Sequence, residues 1–215
     1  MNTKSVTELI SSQYGLIEVR YKGLSSESEE NHKIVKLVVL SHPHPLYGGT
    51  MNNKIVTTME RAFQSLGYVT VAYNFRGVGK SEGEHNQGIG EQDDLVQVVE
   101  WAKERFNSTH LTLAGFSFGS YVALKAYQEF NKTLCVDALC TVAPPVGLYD
   151  FSGIHPVKVP WVLIQGGKDE VVSAPEILQW VMAGEFQPDI YWRAEASHFL
   201  HGELIWLKKI ILLAY

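Results

Sequence analysis

The stretch His110-Leu-Thr-Leu-Ala-Gly115-Phe-Ser117-Phe-Gly119-Ser-Tyr-Val-Ala-Leu124 decides how this chain is read. It begins as an apolar run of strand length and ends in a run of good helix formers, Val122–Tyr127. Between them stands Gly-x-Ser-x-Gly. A strand that turns sharply into a helix forces the central serine into a sparsely populated backbone conformation. Glycines two residues to either side let neighbouring backbone come close, and the hydroxyl is left exposed. The N–H groups of the helix that follows favour negative charge at that point. Taken alone, the motif could be a strand–turn–helix junction with an incidental serine, so the rest of the chain has to decide.

Outward from this stretch, apolar or β-branched runs recur at Leu16–Tyr21, Ile34–Leu40, Tyr68–Tyr73, Val136–Val142, Val159–Ile164 and Ile190–Trp192. Segments with helical spacing fill most of the gaps: Asn52–Leu66, Glu91–Phe106, Phe118–Phe130, Ala174–Val181 and Phe199–Leu212. Several strand candidates are hydrophobic almost throughout, as strands buried on both faces should be. The alternation predicts an α/β fold with a mostly parallel central sheet and helices on both faces. Only the polar loop Gly23–Lys33 joins the first two runs, which predicts an antiparallel first strand. No linker or repeat divides the chain, so residues 1–215 read as a single domain. Gly and Pro cluster just after the apolar runs, at the strand ends where such sheets bind ligands.

A serine hydroxyl needs a base, and the base an orienting acid. Asp169 follows the apolar run Trp161–Ile164 through Gly166-Gly167-Lys168, and His198 follows Ile190–Trp192, so both sit just past predicted strands after Ser117 in the chain. Asp150 and Glu170 are alternative acids, and His201, placed inside the last predicted helix, is an alternative base. His32, His85, His110 and His155 read as surface or packing histidines. An oxyanion needs two preorganised donors. One should be the N–H of Phe118. The other should come from Ser41-His-Pro-His-Pro-Leu-Tyr-Gly-Gly49, where Pro43 and Pro45 carry no N–H, leaving His44 favoured over Leu46 and Tyr47.

Other chemistries fit poorly. Gly77-Val-Gly79-Lys80-Ser81 imitates the end of a phosphate-binding loop, but Asn74 stands where its first glycine belongs and Glu-Gly-Glu-His replaces the helix. His42 and His44 lack a Cys, Asp or Glu partner at ligand spacing, so no metal and no cofactor is expected. The net charge of −5 includes no basic stripe for nucleic acid and no polybasic membrane patch. The acidic cluster Glu27–Glu30 reads as a solvated loop. Met1–Tyr14 lacks the apolar core of a signal peptide, and Leu204–Tyr215 is too short to span a bilayer, so no membrane insertion is expected. Cys135 and Cys140, in one apolar run, read as reduced core residues suited to the cytoplasm. Nothing fixes an oligomeric state.

Taken together, SHPHPLYGGTMNNK (41–54), YNFRGVGKSEG (73–83), GFSFGS (115–120), GGKDEVV (166–172) and SHFLHG (197–202) resemble a small bacterial-type α/β-hydrolase family related to the dienelactone hydrolases. The resemblance implies an α/β-hydrolase fold, esterase-like activity on a small-molecule ester or thioester, and a Ser117–Asp169–His198 triad. Dienelactone hydrolases use a cysteine where this chain has Ser117, so their particular substrate is not implied. Many α/β-hydrolases insert a lid between the sixth and seventh strands. Here only Pro144 to Lys158 separates the corresponding runs, which predicts an open site without a lid domain, with Tyr47, Tyr149 and Phe151 as apolar walls. Such a site favours short acyl esters or a group presented on something larger. An amidase or peptidase would use the same triad, and an idle scaffold could keep the same fold.

Overall fold

The computed structural model describes residues 5–23, 34–184 and 187–215. The acidic cluster Glu27–Glu30 and His32 lie outside them. The strands are β1 (Val6–Ser12), β2 (Gly15–Lys22), β3 (Lys36–Ser41), β4 (Val69–Tyr73), β5 (His110–Phe116), β6 (Ala138–Val142), β7 (Trp161–Gly166) and β8 (Asp189–Arg193). The helices are α1 (Lys54–Ser65), α2 (Gly90–Phe106), α3 (Phe118–Leu134), α4 (Ala174–Ala183) and α5 (Leu204–Ala214). They form one sheet in the order β1-β2-β4-β3-β5-β6-β7-β8. From β4 to β8 every pairing is parallel, while β2 pairs antiparallel with both β1 and β4.

The antiparallel start is therefore a hairpin of β1 with β2, not of β2 with β3. Val6–Ser12 left little trace in the sequence because it is an edge strand with only Ile10 buried. Residues of the central strands alternate between the two faces. Leu37, Val39, Leu111, Leu113 and Leu163 pack under α2, α3 and α4, whereas Val38, Leu40, Ala114, Phe116, Val162 and Ile164 pack under α1 and α5. Asn53 caps α1 by accepting from the N–H of Ile55 at 2.8 Å. Glu91 and Asp93 in the first turn of α2, with Lys103 and Arg105 in its last, complement the helix dipole.

Two expectations need correcting. Cys140 is buried in β6, and burial pushes its thiol up to about 12, but Cys135 is exposed. α3 runs on to Leu134, so Cys135 ends the helix at φ 50° instead of entering the strand. The last helix begins at Leu204, not at Phe199, because Leu200 and Gly202 adopt φ 49° and 77° and keep Phe199–Gly202 in a turn. His201 is consequently an exposed turn residue.

The connection from β6 to β7 holds no helix. The carboxyl ends of β3, β5, β7 and β8 are thus left uncovered by a lid. Among the described residues no helix is long and apolar enough to cross a membrane.

Candidate active site

Ser117 stands between β5 and α3 at φ 53°, ψ −119°. A non-glycine residue held there costs ~1–3 kcal/mol and persists only when its surroundings fix it. The N–H of Ser117 donates to the Val142 carbonyl at 2.8 Å, and Ser120 Oγ bonds the carbonyls of Gly115 and Val142 at 2.8 and 3.0 Å. A Cβ on Gly115 would collide with the backbone of Gly119, and one on Gly119 with the backbone of Ser41. The two glycines let the turn close and let β3 lie against it.

Two loops bring partners to the serine. Ser117 Oγ lies 3.0 Å from His198 Nε2, and His198 Nδ1 lies 2.9 Å from Asp169 Oδ2. Asp169 Oδ1 accepts from the N–H groups of Val171 and Val172 at 2.9 and 2.8 Å, and Gln165 Nε2 donates to Oδ2 at 3.0 Å. Burial pushes the Asp169 carboxyl up, but the bonds from His198 and these amides outweigh it and hold the group below the usual carboxylate range. An ionised Asp169 can only accept, so Nδ1 of His198 carries the proton and Nε2 turns its lone pair to the serine hydroxyl. Phe116 and Phe199 pack on the His198 ring at 5.0 and 5.1 Å between centroids.

The alternative residues have other partners. Glu170 accepts from the His198 backbone N–H at 3.0 Å, Asp150 accepts from Ser152, and His201 Nδ1 lies 3.5 Å from Ser197 Oγ.

The loop after β3 is anchored by His42. Its Nε2 accepts from the Phe75 N–H at 3.1 Å, so Nδ1 carries the proton and donates to the Pro43 carbonyl at 2.6 Å. Burial lowers its pKa to about 4, and both ring nitrogens are occupied, with no lone pair left for a metal. The single 3₁₀ turn Pro45–Tyr47 follows. In this turn the Leu46 N–H donates to His44 Nδ1 and that of Tyr47 to the His44 carbonyl. The backbone N–H groups of His44 and Phe118 have no partner among the described residues.

A cavity of about 330 Å³ opens above Ser117 and His198, lined also by His44, Tyr47 and Gly49. Asn53, Val171 and Phe199 line it too, and these were not foreseen. Tyr149 and Phe151 are not among its walls. Phe151 is buried against Tyr121 and Trp180, and Tyr149 stands behind His44 and Phe118. His85 is a packing histidine. Its Nδ1 lies 2.8 Å from buried Glu91 Oε1, and its ring packs on His44 and Phe118.

The sequence profile of the alpha/beta hydrolase fold matches residues 46–172, more than half of the chain. The chain belongs to the alpha/beta hydrolase fold family. A solved alpha-beta serine hydrolase homologue from Coxiella burnetii is 38% identical, with 97% of this chain and 96% of that one covered and a TM-score of 0.86. A Xanthomonas campestris structure described as an a/b serine hydrolase without lid is 35% identical, covers 100% and 94%, and has a TM-score of 0.87. A Rickettsia prowazekii protein described as uncharacterised is 33% identical over 167 residues, 76% of this chain and 66% of its own length. The zebrafish (Danio rerio) lysophosphatidylserine lipase matches over 59% of this chain and 34% of its own length, at 28% identity. The chain thus spans about two thirds of the first of these curated relatives and about a third of the second. Within the family it has the lidless form, with a hydrolase-like constellation at the uncovered sheet edge.

Proposed function

We propose that the chain is a serine hydrolase cleaving carboxylic esters or thioesters through a Ser117–His198–Asp169 triad and an acyl-enzyme. The observation that carries this reading is the continuous line Ser117–His198–Asp169, with bonds of 3.0 and 2.9 Å, built on a serine at φ 53°. In the reaction Ser117 Oγ attacks the carbonyl carbon while His198 Nε2 takes the hydroxyl proton. The tetrahedral oxyanion is held by the N–H groups of Phe118 and His44. His198 then returns the proton to the departing oxygen or sulfur, leaving the acyl group on Ser117. A water molecule deprotonated by His198 attacks the acyl-enzyme, and collapse of the second intermediate releases the acid and restores the serine. Tyr47 and the other pocket walls receive part of the substrate. We place the protein in the cytoplasm, a reducing compartment in which the unbridged Cys135 and Cys140 would stay thiols.

The test is fluorophosphonate labelling of the protein and of Ser117→Ala, alongside hydrolysis of short-chain aryl esters. The wild-type chain should label once, at Ser117, and hydrolyse the esters. The variant should do neither while keeping its thermal transition. Turnover by Ser117→Ala at the wild-type rate would remove the serine from the reaction. A folded wild-type chain that neither labels nor turns over any ester would favour an idle scaffold.

A further inference from the structure

Next to the catalytic pocket lies a second cavity, of about 240 Å³. Asn53 and Phe199 line both, so the two share a wall. The second is built from the turn directly after His198, with Leu200, His201 and Gly202, and from the start of α1, with Lys54 and Ile55. In the serine hydrolase reading, on which this inference rests, the leaving group collects its proton from His198 Nε2 and must lie on the His198 side of the scissile bond. The carbonyl oxygen points the other way, toward the His44 and Phe118 amides. A leaving group longer than a few atoms then passes Phe199 and enters the second cavity.

The charge of that cavity runs against the molecule. The chain carries a net −5, yet none of the described residues lining either cavity is an Asp or Glu. The second cavity is edged by Lys54 and His201 instead. The neighbouring Glu203 turns its carboxylate to Arg193 Nε at 3.1 Å. The Lys54 ammonium pairs with no carboxylate among the described residues. We infer that this cavity is the leaving-group subsite, and that it selects alcohols or thiols bearing a fixed negative charge, a phosphate or a carboxylate, through Lys54. Lys54 is a specificity-determining residue here and takes no part in the chemistry.

The experiment uses matched butyryl esters that differ only in leaving-group charge. One pair is butyrylglycerol 3-phosphate against butyrylglycerol, and the other is the butyryl ester of 3-hydroxybenzoate against that of 3-hydroxybenzamide. In at least one pair the wild-type kcat/KM should favour the anion by about 5-fold, which is about 1 kcal/mol, as expected for a partly exposed ion pair. That preference should shrink as salt is raised. Lys54→Glu should bring the ratio below one, and Lys54→Arg should keep it. Lys54 is exposed and begins its helix, so neither change disturbs the core.

Preference in the first pair alone assigns a phosphate, and in the second alone a carboxylate. A ratio near one in both pairs, or one that Lys54→Glu leaves unchanged, overturns the subsite. Ser117→Ala assayed on the two neutral esters separates this from failure of the underlying reading. If it abolishes their turnover, the triad stands and only the subsite is lost. If it does not, the triad itself fails.

Discussion

At the floor of the candidate pocket Ser117 and His198 are 8% and 3% exposed, whereas at its mouth Phe199 and Tyr47 are 43% and 88% exposed. The floor is tied down from several directions. Bonds from the ends of β5, β6 and β7 and from the loop after β8 fix the serine, the acid and the histidine. The mouth is held mainly by one 3₁₀ turn whose amides are satisfied within the turn itself, and among the described residues no lid covers its apolar side chains. Groups that must meet within a few tenths of an ångström are over-determined, while groups that only shelter a substrate are left loose. The contrast implies that floor substitutions cost orders of magnitude and mouth substitutions only small factors.

The sharpest test after Ser117→Ala is Asp169→Asn. The amide no longer holds the Nδ1–H tautomer or stabilises the imidazolium, and kcat should fall by about 10⁴. Glu170→Gln, which touches only the backbone N–H of His198, should cost far less, and Asp150→Asn less again. Steady-state kinetics of the three variants on one aryl ester decides it. Equal losses at Asp150 would move the acid to the loop after β6.

The floor was legible in the sequence because its requirements are written in the backbone. Gly115 and Gly119 stand where any Cβ would strike main chain, and Pro43 and Pro45 remove two of the N–H groups that could compete with His44. Such constraints need no knowledge of distant neighbours. The order of Asp169 and His198 after their strands was legible for the same reason, since parallel strands end at one edge. The mouth was not. Phe199 follows helical spacing, but positive φ at Leu200 and Gly202 keeps it out of the helix and turns it toward the pocket. Tyr149 and Phe151 stand in the short Pro144–Lys158 connection beside the predicted open site, but their packing is set by Phe118, Tyr121 and Trp180 from two helices, which the sequence does not place. Gln165, which donates to Asp169 and is fully buried in the structure, carried one faint signal, an amide closing an apolar run four residues before the acid.

The anchoring of the loop after β3 predicts a pH dependence of stability. In the folded chain burial lowers the pKa of His42 from its ordinary 6.5 to about 4, so folding favours the neutral ring. The unfolded chain binds the extra proton between those values. The stabilisation is therefore fully present above about pH 6.5 and is lost as the pH falls toward 4, by at most about 3 kcal/mol. Urea unfolding at intervals from pH 7 to 4 should show this loss, and His42→Gln should flatten it while lowering stability at pH 7. Parallel curves for the two proteins would mean that His42 has the same pKa folded and unfolded and that the loop is held by something else.

The smallest expected effect belongs to the mouth. A cavity of about 330 Å³ with Tyr47 and Phe199 at its edge can bury a short acyl chain, and each buried methylene contributes about 0.8 kcal/mol. On the Tyr47 side of that edge, away from the second cavity, no described residue covers the chain further, because the connection from β6 to β7 forms no helix over the site. Further methylenes stay in water and contribute nothing. Across a series of p-nitrophenyl esters, kcat/KM should therefore rise by a few-fold per methylene over the first members, peak at short chains and then level or fall. Tyr47→Ala should lower the peak by a small factor without shifting it to long chains, since this tyrosine shelters the first carbons and blocks no tunnel. If kcat/KM climbs steadily through long acyl chains, the mouth holds the substrate as firmly as the floor holds the serine, and the contrast between them fails.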